Sequence, residues 1–508
     1  MSIFITLNDK MNILGLDIGS SFVKASVINA ETGNLISSAS APEKEMKITA
    51  LRPGWAEQNP EIWWQALINA VRGCLAKNKS LKEGIEAIGI SYQMHGLVCV
   101  DSKMDVIRPS IIWCDSRAVP YGDRVYNTLG HKYCMTNLLN HPGNFTAAKL
   151  AWLKDNEPEN YKKIYRIMLP GDYIAMRLTG EICTTITGLS EGIFWDFRKN
   201  KISDPLLNSL GFANDIFPDI VPVFSEQGHL CSDAAGRLGL KKGVPVSYRA
   251  GDQPNNAFSL NVMSPGEVAA TAGTSGVFYG VTDKVRTDEK SRVNLFAHVN
   301  HGVDKRRLGM LACINGTGIM NAWMRRIAGH NLGYEEMNRM AETVSPGSEG
   351  LEVYPFGNGA ERLLENVDIG ASFKNLNLNI HTSAHLFRAV QEGIAYSFKY
   401  ASEILNDAGI NISVIRAGKA NMFLSDVFGQ LIADLTGASV LLYNTDGAMG
   451  AARGAGLGAG IYRNEKEAFK GMDKVGEIFP GSSEDNTYST LYEEWKNSLQ
   501  KELEKKNI

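Results

Sequence analysis

The amino-acid sequence predicts an α/β protein built from two similar lobes. Short apolar strands alternate with amphipathic helices along most of the chain, which is typical of α/β folds. A strand–turn–strand pattern occurs twice, first as ILGLDIGSSFVKASVI from Ile13 and again as EVAATAGTSGVFYGVT from Glu267. Because both copies place glycine and hydroxyl residues at the turn, we interpret them as equivalent hairpins of two related lobes.

Other segments fit the same fold class. PEIWWQALINAVRGCLA predicts a helix with Trp63, Ala66, Leu67 and Ala70 on one face, and EAIGISY predicts the strand that follows it. DGAMGAARGAGLGAG predicts a helix whose glycine and alanine face lies closely against a sheet, with a loop as the alternative. YSTLYEEWKNSLQKELEKKN, near the end of the chain, predicts a charged amphipathic helix with a structural role, and a partner-binding helix is the alternative.

The Pro/Gly-containing connection SLNVMSPGE suggests where the two lobes are joined. We predict an N-terminal lobe over residues 12–260, a C-terminal lobe over 261–464 and a helical extension over 465–508. The residues before Asn12 carry little pattern, and we assign them no role.

Composition restricts the classes of partner. The chain has 508 residues, 44% of them apolar, so it can bury a large core. A net charge of -3 without runs of like charge gives no attraction for nucleic acid. The seven cysteines are never spaced as C-x-x-C, which argues against a disulfide framework or a zinc site. No apolar run approaches the ~18 residues needed to span a bilayer, so we expect a cytoplasmic protein without membrane partners.

The turns of both hairpins have the composition of a phosphate site. Backbone N–H groups and hydroxyls that converge in a tight turn form an anion-binding concavity, and glycine permits close approach. The candidate residues are Gly19, Ser20, Ser21 and Lys24 in the first hairpin and Gly273, Thr274 and Ser275 in the second. Neither turn has the P-loop form G-x-x-x-x-G-K-[ST], and an ordinary structural turn is the alternative for each.

Two aspartates follow or end apolar strands. Asp17 lies near the end of the first strand, where an unpaired carboxylate is costly, and Mg²⁺ beside a phosphate site is its natural partner. Asp252 follows the strand VPVSYRAG and precedes Gln253. Phosphoryl transfer to a hydroxyl needs a base that accepts its proton, and Asp252 has a suitable setting. The alternative for Asp252 is a helix cap or turn residue.

Two further strand ends carry polar and aromatic side chains. EAIGISY runs into Gln93, Met94 and His95, and the strand IIW ends in Trp113 before Asp115. Sugar pockets typically combine polar groups with an aromatic surface, which both segments supply.

Together these residues resemble the FGGY carbohydrate kinase family, and within it most of all the members that phosphorylate xylulose. The resemblance extends over residues 12–460, in order through GLDIGSSFVK, GWAEQNPEIWW, IGISYQMHG, RPSIIWCDSRA, PGNFTAAKLAWL, LPGDYIAMRLTGE, GDQPNNA, TAGTSGVF and DGAMGAA. It implies two actin-like lobes of the ribonuclease H type with a catalytic cleft between them, ATP as phosphoryl donor, Mg²⁺, and a homodimer as the assembly.

The resemblance also implies roles for individual residues. Asp252 corresponds to the catalytic base and Asp17 to the metal- and phosphate-associated aspartate. Met94 and His95 correspond to the sugar contact. RAGKANMF occupies the place of the adenosine segment, where Gly418 and Asn421 are the candidate nucleotide contacts.

The chain departs from the family pattern at three places. Gln253 stands where asparagine is usual, beside the acceptor hydroxyl, and bears on substrate choice. AGKAN replaces a glycine triplet, and FGNGAERLLEN replaces a Gly-Glu-Arg-Thr-Pro run. The implied reaction is ATP-dependent phosphorylation of D-xylulose at O5. The alternatives are a kinase for ribulose, another ketose, gluconate or glycerol, an actin-like sugar or nucleotide sensor without transferase activity, and a filament-forming protein.

Overall fold

The structure, a computed structural model, describes residues 11–78, 81–329, 332–481 and 486–506. In these ranges the chain is a mixed α/β protein, and none of its helices has the length and apolar character needed to cross a membrane.

The strands and helices alternate along the chain. The strands are β1 (Asn12–Ile18), β2 (Val23–Asn29), β3 (Leu35–Ala41), β4 (Glu57–Gln58), β5 (Ile85–Tyr92), β6 (Val98–Val100), β7 (Ser110–Ile111), β8 (Arg166–Met168), β9 (Cys183–Thr184), β10 (Trp195–Asp196), β11 (Lys201–Ile202), β12 (Asp219–Ile220), β13 (Val246–Gly251), β14 (Val268–Ala272), β15 (Gly276–Thr282), β16 (Asn294–Ala297), β17 (Leu308–Ile314), β18 (Glu352–Tyr354), β19 (Ser372–Lys374), β20 (Val414–Gly418), β21 (Ser439–Tyr443) and β22 (Lys474–Ile478). The α-helices are α1 (Pro60–Ala76), α2 (Leu81–Gly84), α3 (Val119–Leu129), α4 (His131–Tyr133), α5 (Thr146–Asn156), α6 (Pro158–Tyr161), α7 (Pro170–Thr179), α8 (Ile186–Glu191), α9 (Asp204–Leu210), α10 (Ser232–Leu238), α11 (Asp252–Ser259), α12 (Thr317–Ala328), α13 (Tyr334–Glu342), α14 (Ser383–Asp407), α15 (Asp426–Thr436), α16 (Gly447–Gly458), α17 (Glu465–Ala468) and α18 (Thr487–Lys506).

The chain divides into two compact units. Within the described residues, the first unit contains the chain up to Asn261, Phe296–Arg307 and Thr445–Met472. The second contains Val262–Leu295, Leu308–Asn444 and the chain from Asp473 onward. Both units are therefore discontinuous in sequence, whereas the predicted domains are continuous stretches.

The first unit is built on a sheet of order β13-β5-β1-β2-β3. β1, β2 and β3 are antiparallel neighbours, while β5 and β13 run parallel to β1. The predicted first hairpin is confirmed as β1 and β2. The predicted helix is confirmed as α1, which begins at the N-cap Asn59 and buries Trp63, Ala66, Leu67 and Ala70, the predicted face.

Helix α16 lies closely against this sheet because glycine occupies both surfaces. A Cβ on Gly15 of β1 would lie 1.8 Å from the backbone oxygen of Ala448, and one on Gly89 of β5 would lie 1.9 Å from that of Ala451. Any larger residue would force helix and sheet apart, since contacts this short do not occur. The predicted helix with a glycine and alanine face is confirmed, and its contact with the sheet explains why residues 445–472 belong to the first unit.

The sheet of the second unit has the order β16-β17-β15-β14-β20-β21-β22. β14, β15 and β17 are antiparallel neighbours, and β20 and β21 run parallel to β14. This repeats the arrangement of the first sheet, with the hairpin β14 and β15 in the place of β1 and β2. The prediction of two similar lobes is confirmed.

Helix α18 closes the described part of the chain in the second unit. It buries Tyr492, Trp495 and Leu499, and the indole N–H of Trp495 donates to the backbone oxygen of Val353 at 2.9 Å. These contacts confirm the expected structural role of the terminal helix. The predicted extension over 465–508 includes residues 482–485 and 507–508, which lie outside the described residues, as do the residues before Met11.

Candidate active site

Asp252 is the first residue of α11 and follows β13, whose last residue Gly251 pairs in register with Tyr92 of β5. The backbone and side chain of Gln253 both hydrogen-bond to the Asp252 carboxyl. Removal from solvent, and next the negative charge of Asp17, raise the pKa of Asp252 to about 7. A carboxyl with this pKa exchanges a proton near neutral pH, as a general base must.

Asp17 lies in β1, which is separated from β13 by β5. It pairs in register with Ser91 of β5. The Ser91 hydroxyl donates to Asp17 Oδ1 at 2.8 Å. Burial, and to a lesser degree the charge of Asp446, raise the pKa of Asp17. A Cβ on Gly447 would lie 2.5 Å from Asp17 Oδ2, so glycine is needed at the first position of α16 to leave this oxygen its space.

The first hairpin uses several of its polar groups internally. The Gly19 N–H closes the turn by donating to the backbone oxygen of Phe22 at 3.0 Å. Ser20 Oγ accepts from the Trp113 indole at 3.3 Å, and Lys24 Nζ donates to Asp446 Oδ2 at 2.8 Å. The hairpin is therefore fixed, and its lysine is already paired with a carboxylate.

Met94 and His95 follow β5 on the same edge of the sheet. Met94 is buried, and a Cβ on Gly251 would lie 2.6 Å from both Met94 Cγ and Glu191 Oε2. His95 has a φ of 62°, and its Nδ1 lies 3.0 Å from the backbone oxygen of Glu191. The structure thus brings Met94 close to the residue that precedes Asp252.

The ring of His95 is held by aromatic neighbours and its backbone by a lysine. Ring centroids of Phe145 and Phe296 lie 4.8 and 5.4 Å from that of His95. Lys149 Nζ donates to the His95 backbone oxygen at 2.9 Å, and burial lowers the pKa of Lys149 to about 7. No local signal in the sequence predicts the positioning roles of Lys149 and Glu191, which come from other helices.

The interpretation of Asp115 as a polar group of a sugar pocket is wrong. Its carboxylate is fully buried, forms an ion pair with Arg117 and accepts from the backbone N–H of Ala56 at 2.5 Å. Trp113 differs, since its side chain is 47% exposed and can offer an aromatic surface.

The second hairpin is fixed by backbone hydrogen bonds. The N–H groups of Gly318 and Ile319, at the start of α12, donate to the backbone oxygens of Gly273 and Thr274 at 2.9 and 3.1 Å. A Cβ on Gly318 would lie 2.2 Å from the Gly273 oxygen, so this approach requires glycine. The carbonyl groups of the turn are therefore held away from any anion that its N–H groups bind.

A cavity of about 820 Å³ in the second unit lies beside this hairpin. Its lining includes Gly273 and Thr274, which the sequence predicts to bind phosphate, and Asn421, which the sequence predicts to contact the nucleotide. Residues of α12, α13 and α15 also line it. Ser275 and Gly418 are not among the lining residues that the structure describes. Its volume suits a ligand of nucleotide size.

Glu361, in the segment GNGAER, holds the backbone just before α12, the helix that contacts this hairpin. It is 1% exposed, and one carboxylate oxygen accepts from the backbone N–H of Asn315 at 2.9 Å, just before α12. Burial raises the pKa of Glu361 to about 7. The segment that departs from the family pattern thus positions the start of α12, and through it the second hairpin.

The donor set near Asp17 fits Mg²⁺ bound mainly by water and phosphate. Within the described ranges, no group of three or more histidine, cysteine or acidic side chains could hold a metal. Mg²⁺ in nucleotide sites is usually held by one or two carboxylates together with substrate phosphates and water, and Asp17 supplies one such carboxylate.

Comparison with known proteins agrees with this geometry. The models of the N-terminal and C-terminal domains of the FGGY family of carbohydrate kinases match residues 12–259 and 268–459. The xylulose kinase of Bacillus subtilis (strain 168) is 29% identical over 490 residues, covering 96% of each chain.

Two solved structures share the fold. The xylulose kinase of Rhodospirillum rubrum is 23% identical with a TM-score of 0.83, covering 96% of this chain and 98% of that one. The gluconate kinase of Lactobacillus acidophilus is 21% identical with a TM-score of 0.85, covering 98% and 99%. The predicted two-lobed α/β fold is confirmed by these likenesses.

The chain therefore belongs to the FGGY family of carbohydrate kinases. It is an ATP-dependent kinase that phosphorylates a carbohydrate hydroxyl.

Proposed function

We propose that the protein transfers the γ-phosphoryl group of ATP to O5 of D-xylulose, giving D-xylulose 5-phosphate. The observation that carries the proposal is the placement of Asp252, with Gln253 bonded to it, beside Asp17 at one edge of the first sheet. Transfer to a hydroxyl needs a proton acceptor next to a site for the charged phosphates, and these side chains supply both.

Asp252 is the base in this mechanism. It accepts the proton of the attacking hydroxyl, and hydrogen bonds from Gln253 hold its carboxylate in place. Its raised pKa of about 7 gives it a stronger affinity for that proton than an exposed aspartate has. Asp17 would hold Mg²⁺ through water, and the bound ion supplies positive charge to the phosphoryl oxygens.

Each predicted lobe supplies candidate contacts for ATP. In the N-terminal lobe, 12–260, these are the amides and hydroxyls of Ser20 and Ser21, since the Gly19 N–H is used within the turn. In the C-terminal lobe, 261–464, Gly273, Thr274 and Ser275 bind phosphate and the 820 Å³ cavity beside Asn421 receives the nucleoside. Gly418 ends β20, the strand that precedes Asn421.

The choice of D-xylulose is supported by two observations. Met94 and His95 stand at the position of the family's xylulose contact, and Met94 lies against Gly251 next to Asp252. The Bacillus subtilis relative, named xylulose kinase, aligns over nearly the whole chain. Gluconate and glycerol are the alternative acceptors, because a gluconate kinase and a glycerol kinase share the fold, and Gln253 stands as it does in glycerol kinases.

The test is coupled ADP release by the purified protein with Mg²⁺ and ATP. The acceptors are D-xylulose, D- and L-ribulose, L-fuculose, L-rhamnulose, gluconate and glycerol. We expect D-xylulose to give the highest kcat/KM by more than tenfold. A higher value for gluconate or another acceptor would leave the kinase activity in place and overturn the proposed substrate, and no release with any acceptor would favour a sensor without transferase activity.

A further inference from the structure

Gln93 is a buried amide without a partner. Its side chain is 3% exposed, yet neither Nε2 nor Oε1 has a hydrogen-bond partner among the residues that the structure describes. Buried polar side-chain atoms in folded proteins nearly always have partners, because leaving them unpaired destabilises the folded state. An amide with both ends unpaired by protein groups is therefore able to bind hydroxyl groups of a ligand.

The register of the sheet places Gln93 among the groups of the proposed reaction. β5 lies between β13 and β1, and its last residue Tyr92 pairs with Gly251 on one side and Ile18 on the other. Gln93 is one residue further along, as are Asp252 and Gly19 on the flanking strands. The Gln93 N–H donates to the Ile18 oxygen at 2.8 Å, which fixes its backbone at this point.

The chemistry of the amide restricts what it can bind. A carboxamide offers hydrogen-bond donors at nitrogen and an acceptor at oxygen. Phosphate oxygens would pair only with the nitrogen, and a metal ion would pair only with the oxygen. Neighbouring hydroxyl groups of a polyol, each able to donate and to accept, satisfy both ends at once.

We propose that the Gln93 side chain binds the acceptor sugar, with its amide nitrogen and oxygen hydrogen-bonded to hydroxyls next to the one that Asp252 deprotonates. This inference rests on the proposed role of Asp252 and on a sugar acceptor, but not on that sugar being D-xylulose. Gln93 then contributes to substrate binding together with Met94 and His95, and its unpaired amide gives a specific role to a residue that the sequence placed only at a polar strand end.

The chain offers a matched control in Gln227. It belongs to the same unit and is 4% exposed, but its Nε2 donates to the backbone oxygens of Pro222 and Val223, both at 3.0 Å. Methionine has nearly the length of glutamine and forms no strong hydrogen bonds. Gln93→Met and Gln227→Met therefore remove the same groups. At Gln93 neither amide atom has a partner among the described residues, whereas at Gln227 the Nε2 has two partners and only the Oε1 has none.

The experiment measures melting temperature without ligand, its increase on adding sugar, and KM for sugar and for ATP. The sugar is whichever acceptor gives the highest kcat/KM with the wild type. For Gln93→Met we expect an unchanged or higher melting temperature without ligand and a smaller increase in melting temperature when sugar is added. The KM for sugar should rise about tenfold or more, while the KM for ATP stays unchanged. For Gln227→Met we expect a lower melting temperature and an unchanged KM for sugar.

Two results would overturn the inference. A lower melting temperature of Gln93→Met with wild-type KM for sugar would assign Gln93 a structural role. A raised KM for ATP with wild-type KM for sugar would assign it to the phosphates or the metal. If the best acceptor is not D-xylulose, the proposed substrate is wrong, but the role of Gln93 can still be tested with the acceptor that is used. If the wild type neither binds nor phosphorylates any sugar, both the proposed function and the role of Gln93 are wrong.

Discussion

The sheets of the two units present different side chains at equivalent positions. In the first, β1 carries Asp17 two residues before the turn glycine, and Asp252 follows β13. In the second, Thr271 precedes Gly273 by two residues in β14, and Asn444 follows β21. The same topology thus ends in two carboxylates in one unit and in two uncharged side chains in the other.

Under the proposed function, this difference assigns proton transfer to the first sheet and nucleotide binding to the second. The pKa values of Asp17 and Asp252 are raised chiefly because both carboxyls are withdrawn from water; the charge of Asp446 adds to the shift of Asp17, and the charge of Asp17 adds to that of Asp252. The second hairpin instead has backbone hydrogen bonds to α12 and a cavity beside it. Carboxyls with shifted pKa values concentrate at sites of proton transfer. A phosphate site built from backbone N–H groups binds its anion without any carboxyl.

Asp252→Asn gives the largest expected effect. Loss of the general base should lower kcat by about 10²- to 10⁴-fold, while KM for ATP stays near the wild-type value. Steady-state kinetics with saturating sugar measure both. A wild-type kcat would remove Asp252 from the role of base.

The same variant has a stability control. The folded-state pKa of Asp252 is raised, so its contribution to stability is lost as pH rises from about 4 to about 7. Asp252→Asn should therefore melt at or above the wild-type temperature at pH 8. A lower melting temperature would show that its kinetic defect includes a folding defect.

Asp17→Asn and Thr271→Val test the equivalent strand positions. Removing the carboxylate should lower kcat/KM for Mg²⁺-ATP by about 10- to 100-fold and raise the Mg²⁺ concentration needed for half-maximal rate. Thr271→Val should change neither quantity by more than about twofold, since a side chain that does not ionise cannot hold the metal in this way. An equal Mg²⁺ dependence in wild type and Asp17→Asn would contradict the assignment.

Gly318→Ala tests the nucleotide unit alone. The added Cβ would lie 2.2 Å from the Gly273 oxygen and must displace the second hairpin. We expect KM for ATP to rise about tenfold, equivalent to about 1.4 kcal/mol, with KM for sugar unchanged. Gly236→Ala is the control, because a Cβ there meets nothing within 4 Å. The hairpin would have no part in ATP binding if both variants kept the wild-type KM.

The pH profile should show the smallest change. Asp252 acts only when deprotonated, and with its pKa of about 7 the active fraction is lost as pH falls. We expect kcat/KM for sugar to decline about fourfold between pH 8 and pH 6.5, a range over which an ordinary aspartate stays ionised. A flat profile across this range would mean that the base has an ordinary pKa or lies elsewhere.

Local patterns predicted the hairpins and the helices α1 and α16 well. Alternation of apolar residues, glycine at turns and helix-capping residues act over a few positions, so one sequence is enough to detect them. Asp17 and Asp252 were recognised because a carboxylate at an apolar strand end is unusual.

Contacts between distant segments were not predictable. Residues 445–472 join the first unit because α16 fits the glycines of β1 and β5, which lie hundreds of residues earlier. The interpretation of Asp115 is wrong because the backbone N–H of Ala56, which donates to its carboxylate, lies far earlier in the chain. The bond from Lys149 to the His95 oxygen depends on tertiary structure in the same way.

Identification of the product is the most direct test of phosphoryl transfer to O5 of D-xylulose. The protein is incubated with Mg²⁺, ATP and D-xylulose, and the products are followed by ³¹P NMR with correlation to sugar protons. We expect one new phosphate ester, coupled to the C5 protons, formed in the same amount as ADP. An ester at another carbon, inorganic phosphate in place of an ester, or no ADP would contradict it.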